Sequence, residues 1–302
     1  MLPAPRVCSH SRQPRCRPAG TLSGTQGLGR GLLFVSDEAL RQGQNEGIAA
    51  IQQELERYGT DEDRELLDYV LNMEAGSLSI PFQDGMMLDR DTDGALFPER
   101  QVLDRATGKS RGMRLADFVD HPKARIAQLS DAHVLVLRLY TTAVFRSINS
   151  PLRDHDRIKR GEAHRLPVTV AVLNDAIRLL RQVEWHESAG SMKQTYLFRG
   201  MRDISLPEKF VKEGGTEFAP MSTTSNLEIA MEYSASSRAV LLRLRTDNFL
   251  KRGADVSWLS AFPAESEFLY PPLTFLKPHG EPERITIGEC NYWVLDVTPE
   301  FA

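Results

Sequence analysis

The amino-acid sequence predicts an α+β protein, helical in its first half and built of strands in its second. Three observations carry that expectation. Apolar residues recur at helical spacing as far as about residue 185, and from Gln194 onward short runs rich in β-branched and aromatic residues take over. The two patterns are segregated rather than alternating, which argues against βαβ units. With 302 residues, 41% of them hydrophobic and 26% charged, the chain has material for one large core or two small ones.

Residues 1–35 differ in composition from the rest, carrying Arg6, Arg12, Arg15, Arg17 and Arg30 and no acidic residue before Asp37. Lacking an apolar stretch, this leader does not read as a secretory signal; it is either a flexible Arg-rich tail or an organelle transit peptide. Helical patterning starts after Ser36, a residue suited to N-capping ahead of Asp37 and Glu38, with Ile48, Ile51 and Leu55 on one face. A second helix after Thr60 sets Leu66, Leu67, Val70, Leu71 and Met73 in a stripe that Gly76 and Pro81 end. Between Pro81 and Gly112 the residues are polar and aperiodic, a loop. Within it Asp89, Asp91, Asp93 and Gly94 match the opening of an EF-hand calcium loop, but Arg100 stands where the bidentate glutamate belongs and Pro98 where the exit helix begins. A polar turn is the expectation there.

After Pro122, a segment capped by Ser130 holds Val134, Leu135, Val136, Leu137, Leu139 and Tyr140, apolar nearly all round as in a buried helix. Asn149, Ser150 and Pro151 read as a turn. Pro167 reads as the first residue of a helix burying Val168, Val172, Leu173, Ala176, Ile177, Leu180 and Val183. Strands are expected over 195–199, 218–223, 239–245, 265–270, 273–276, 284–287 and 292–297, with brief helices at 208–212 and 227–233.

The bulk properties narrow the function classes. A formal charge of −4 and no basic run interleaved with aromatics make nucleic acid an unfavoured partner. The longest apolar stretch, residues 134–139, contains Arg138 and falls far short of the roughly eighteen residues a membrane span needs. Cys8, Cys16 and Cys290 are an odd number without CxxC spacing, which argues against a disulfide framework or zinc site and for a reducing compartment. The cytoplasm is the expected location, with organelle import left open by the tail.

The candidate chemistry lies between Thr195 and Pro272. Arg199 ends an apolar run (Tyr196, Leu197, Phe198) and precedes Gly200; it is either an ion-pairing surface residue or a forked phosphate clamp beside a residue that lets a ligand reach the backbone. Ser222, Thr223 and Thr224 are either cross-strand packing hydroxyls or a device for orienting a carboxylate. Glu265 and Glu267, at i and i+2 of an expected strand, project to one side about 7 Å apart. They are either an exposed strand face or a like-charge pair with perturbed proton affinities. His155, His164 and His186 are scattered in polar segments, and none pairs with a serine at a spacing that suggests a nucleophile.

Arg199-Gly200, Ser222-Thr223-Thr224 and Glu265-Ser266-Glu267, in that order, resemble the arginine, Ser-Thr-Ser and Glu-x-Glu signature of the arginine-specific mono-ADP-ribosyltransferases. Ser260-Ala261-Phe262-Pro263-Ala264 ahead of the glutamates is similar to that family's acceptor-recognising turn. Leu139-Tyr140-Thr141-Thr142 with Ile148-Asn149 and Leu152-Arg153 looks like its helical region. The likeness spans roughly residues 131–297, and one position departs from the pattern, Thr224 replacing the last serine.

The resemblance implies a two-sheet, β-sandwich-like core with an NAD cleft over residues 126–302, preceded by a helical extension with a polar loop over 36–125 and by the 1–35 tail. It implies that NAD⁺ is the co-substrate and that no metal takes part. Arg199, Gly200, Ser222, Thr223 and Glu267 would bind NAD⁺, with Arg199 on its pyrophosphate. Glu267 would stabilise the oxocarbenium-like ribose left when nicotinamide departs, Ser222 would hold Glu267, and Glu265 would dock an acceptor guanidinium and take its proton. ADP-ribose would pass to an acceptor protein or a small guanidino compound, with Phe262 either packing on the acceptor or filling the core. A monomer is expected. NAD⁺ glycohydrolase activity and a non-catalytic NAD-binding module are the alternatives on the same fold. Without the resemblance, the carboxylate pair would suggest a glycosidase.

Overall fold

Helices precede strands along the chain, as the segregated patterning predicts. The structure, a computed structural model, describes residues 36–78, 87–187, 195–246, 251–287 and 290–301. The Arg-rich tail with Cys8 and Cys16, and the helix-breaking Pro81, lie outside the described residues. The first helices are α1 (Asp37–Glu46), α2 (Ile48–Tyr58) and α3 (Asp61–Asn72). Ser36 caps α1 by accepting the Ala39 amide, and Thr60 and Asp63 form a reciprocal capping box on α3. A small hairpin, β1 (Gln101–Leu103) with β2 (Ser110–Gly112), occupies part of the expected loop.

Then follow α4 (Leu115–Val119), α5 (Pro122–Ile126), α6 (Asp131–Tyr140), α7 (Phe145–Arg153), α8 (His155–Lys159) and α9 (Pro167–Glu187). Every residue of α6 from Ala132 to Tyr140 is buried. The turn expected at Asn149, Ser150 and Pro151 is instead helical, within α7. Pro151 removes one backbone donor, but Ile148 and Leu152, both fully buried on one face, keep the helix against the core. No helix among the described residues is long and apolar enough to cross a membrane.

The second half comprises β3 (Thr195–Met201), α10 (Glu208–Glu213), β4 (Gly215–Glu217), β5 (Met221–Thr224), α11 (Leu227–Ser234), β6 (Ala239–Thr246), β7 (Ala254–Asp255), β8 (Glu267–Tyr270), β9 (Thr274–Ile287) and β10 (Cys290–Glu300). The strands expected at 273–276 and 284–287 are one long strand, β9. Gly280, at φ 76°, lies where the β9–β10 register shifts, and the ladder resumes beyond it. The eight strands run β4-β9-β10-β6-β3-β5-β8-β7, antiparallel except for the β6–β10 pair. Along its length β3 pairs with β6, but it meets β5 through the single pair Phe198–Thr224. The ladder is thus two sheets joined at a narrow seam. One continuous apolar core runs from Ala39 on α1 to Leu269 on β8, and a second lies between the strands and α10, around Leu197, Phe210, Leu242 and Leu295.

Candidate active site

The seam brings the three sequence signals together. Arg199 follows Phe198, the seam residue of β3, and Thr224 is its partner on β5. Across β5–β8, Ser222 faces Leu269 and Thr224 faces Glu267, so Ser222 is the diagonal neighbour of Glu267.

The Arg199 guanidinium lies within the protein. It donates to the carbonyl of Ser222 at 2.7 Å and stands 4.0 Å from the Glu217 carboxylate. Arg153, from α7, takes that carboxylate with a two-pronged grip at 3.0 and 3.2 Å. Two guanidinium groups therefore share one carboxylate, leaving one positive charge in excess. Burial, with the charge of Arg153 added, pulls the Arg199 proton affinity down. Beside them Tyr140 donates to the Pro220 carbonyl at 2.8 Å and accepts from the Asn149 amide at 2.9 Å, and burial pushes its phenol up to about 12. The amide oxygen of Asn149, 4% exposed, has no hydrogen-bond partner. Two guanidinium groups on one carboxylate fit a ligand that carries phosphate. NAD⁺ is such a ligand.

The two glutamates are not i and i+2 of one strand. Pro263 starts a 3₁₀ turn, Pro263–Glu265; Ser266 then adopts a left-handed conformation at φ 48°, and β8 begins only at Glu267. The turn gives the acids different surroundings. Glu267 is 6% exposed; the Ser260 hydroxyl donates to it at 3.4 Å, and the hydroxyl of Ser222, its diagonal neighbour, favours its ionised form. Burial, reinforced by the Glu265 charge, pushes its carboxyl up to about 7 against the pull of those hydroxyls. Glu265, half-buried on the turn, accepts the hydroxyl of Tyr233 from α11. Burial raises its proton affinity too, and the Tyr233 bond opposes the rise.

The other predicted residues divide. Thr224, the departure from Ser-Thr-Ser, donates to the Glu265 carbonyl and accepts the Asn226 amide at 2.9 Å, tying β5 to the glutamate turn. Thr223 points to the opposite strand face and donates to the Phe268 carbonyl at 2.9 Å, apart from Ser222 and Glu267. Gly200 packs against α11: a Cβ there would lie 2.0 Å from the Ala230 carbonyl oxygen. Phe262 is part of the apolar core. His164 is buried between the Ile148 carbonyl and the Leu166 amide, and His155 sits edge-on to Phe218. Asp89 of the EF-hand-like run is fully buried, and Asp91 accepts the Asp93 and Ala95 amides within its own turn. Among the described residues no group of three His, Cys, Asp or Glu is arranged to hold a metal ion.

The sequence did not single out Glu217 or Tyr233, named Ser260 only as the start of the turn before the glutamates, and gave Arg153 and Asn149 no role. The Asn149–Arg153 spacing, one helical turn, places both on one face and was the available signal.

The family model described as NAD:arginine ADP-ribosyltransferase matches residues 105–284. A search among curated proteins finds no match. Similar solved structures include the ADP-ribosyltransferase HopU1 of Pseudomonas syringae pv. tomato, at 20% identity and TM-score 0.43, covering 66% of this chain and 92% of that one. The Vis toxin, an ADP-ribosyltransferase from Vibrio splendidus, is similar at 16% identity and TM-score 0.41 over 61% of this chain and 82% of its own. The eucaryotic mono-ADP-ribosyltransferase ART2.2 is similar at 12% identity and TM-score 0.45 over 87% and 88% respectively.

Proposed function

This chain belongs to the NAD:arginine ADP-ribosyltransferase family, whose co-substrate is NAD⁺, and on that premise we propose that it transfers ADP-ribose to arginine side chains of an acceptor protein. The observation that carries the proposal is the unlike pair of carboxylates. Glu267 lies inside, held by two hydroxyls, and Glu265 lies on the turn beside it.

Arg199 and Arg153, sharing Glu217, would receive the pyrophosphate of NAD⁺, with the Gly200 backbone near the nicotinamide end. NAD⁺ supplies a glycosidic C–N bond whose leaving group, nicotinamide, is already activated by its positive charge. As that bond breaks, nicotinamide departs neutral with the electron pair and positive charge develops on the ribose. Ionised Glu267 stabilises that charge from a fixed position and accepts the ribose 2′-hydroxyl; Ser222 and Ser260 keep the carboxylate from rotating. Glu265 docks the acceptor guanidinium, and as a guanidino nitrogen forms the new C–N bond its displaced proton passes to Glu265. In this reading residues 126–302 are the transferase domain and 36–125 an extension packed on it.

The test is nicotinamide release from NAD⁺ by the purified chain, with and without agmatine, following label onto the acceptor. Labelled agmatine supports the proposal. Release without labelling identifies a glycohydrolase, and no release from the folded chain refutes both.

A further inference from the structure

Resting on the function just proposed, we infer that Asp89, Arg100 and Arg138 form a positioning device for the active-site turn, so that two residues outside the matched 105–284 segment, Asp89 and Arg100, act with Arg138 inside it to set the geometry of Glu267. Arg100 and Arg138 are 1% and 3% exposed, and Asp89 is fully buried. Both guanidinium groups bind the Asp89 carboxylate, Arg100 at 3.1 Å and Arg138 at 2.8 Å, and Tyr69 donates to it at 2.6 Å.

The remaining donors of the cluster go to one place. Arg100 donates to the carbonyls of Ser257, Trp258 and Ser260, Arg138 to that of Leu259, and the Asp89 amide to that of Ala261. Five successive carbonyls, residues 257–261, are thus bound by three residues from distant parts of the chain. On the other side of the turn the Ala261 amide donates to Thr141, one helical turn beyond Arg138. A buried cluster with one carboxylate for two guanidinium groups is costly as pure structure. The carbonyl dipoles compensate the surplus charge only while the turn keeps its shape.

That shape aims the chemistry. The Ser260 hydroxyl reaches Glu267 and accepts the Phe262 amide, and Val256 donates to the Glu267 carbonyl. Ser257–Ala261 therefore joins the buried cluster directly to the carboxylate that would face the ribose. None of Asp89, Arg100 or Arg138 touches the proposed substrate site; they act through Ser260 and the turn. The calcium-loop-like aspartate is thereby the anchor of this device.

The test variant is Arg100→Lys, which keeps a charge near Asp89 but cannot fork to three carbonyls and a carboxylate. In the full chain, labelling of agmatine is expected to lose about 10–100-fold in kcat, with KM for NAD⁺ within about twofold. The acidic limb of the pH–rate profile should move to higher pH, since a hydroxyl holding Glu267 ionised is displaced. Hydrogen exchange at the amides of residues 256–262 should quicken by at least about tenfold, with β6 and β10 unchanged. If the lysine variant does not fold, Tyr69→Phe, which removes one bond to Asp89, should move the same quantities less far. Unchanged exchange at 256–262, or faster exchange with kcat and the pH profile as in wild type, would overturn the inference. A wild-type chain that releases no nicotinamide would overturn the proposed function instead, leaving the positional claim to stand or fall on the exchange data alone.

Discussion

Glu267→Gln is expected to make the protein more stable above neutral pH while removing nicotinamide release. In the unfolded chain this carboxyl titrates near its ordinary 4.5, and in the folded chain near about 7. Between those values the folded chain holds a proton that the unfolded chain has lost, so stability falls as pH rises through that window, and the penalty is fully present above it. At about 1.4 kcal/mol for each tenfold in proton affinity, the penalty amounts to about 3 kcal/mol. At pH 5 it is below about 1 kcal/mol. Glutamine keeps the side chain's shape and its reach to Ser222 and Ser260 but carries no charge to desolvate. Thermal melts of both proteins at pH 5 and pH 8, at one ionic strength, measure the difference. For a chain of this size the variant should gain roughly 6–12 °C at pH 8 and under about 4 °C at pH 5. A gain independent of pH, or a loss at pH 8, would refute the claim that burial of an ionised Glu267 is a standing cost accepted for its chemistry.

Glu265→Gln should lower agmatine labelling by at least about 100-fold while nicotinamide release continues; parallel loss of both would contradict the division of labour between the carboxylates. Tyr233→Phe removes the hydroxyl that Glu265 accepts and is expected to reduce labelling by about 3–10-fold and leave NAD⁺ hydrolysis unchanged, as a kcat and KM comparison on both reactions would show. Gly200→Ala forces a methyl group against the Ala230 carbonyl; denaturant titration should record a loss of at least about 2 kcal/mol, and a neutral result would mean that α11 yields freely. Burial holds the His164 imidazole down at about 4, so the unfolded chain takes up its proton first and stability is lost as pH falls from 6.5 towards 4. His164→Gln should flatten that acid limb by up to about 3 kcal/mol, read from urea unfolding at pH 7 and pH 4.5.

The sequence carried the order of elements because helical and alternating patterns occupy different halves of the chain. It missed where context overrides a local signal. Pro151 reads as a breaker, yet Ile148 and Leu152 bury one face of α7 and carry the helix past it. Glu265 and Glu267 read as one strand face, yet Pro263 and the left-handed Ser266 put a turn between them. Arg199, Ser222 and the glutamates were legible as motifs of fixed local spacing. Glu217 and Tyr233 were not, since their roles come from partners on other elements that no window of sequence contains. Asp89 shows both sides of this. Its spacing to Asp91 and Asp93 matches the start of a calcium loop that Pro98 and Arg100 spoil, and a polar turn was the expectation, whereas the fold turns it inward to two arginines.

Ser222 accepts Arg199 on its carbonyl, and its hydroxyl is the diagonal neighbour that favours the ionised form of Glu267. The separation between the charge that would grip phosphate and the charge that would face ribose is therefore gauged by one amino acid, a span of a few bonds with almost no play. A gauge of that kind selects substrates by length. A dinucleotide with a stretched or shortened bridge between phosphate and ribose would satisfy one end and miss the other.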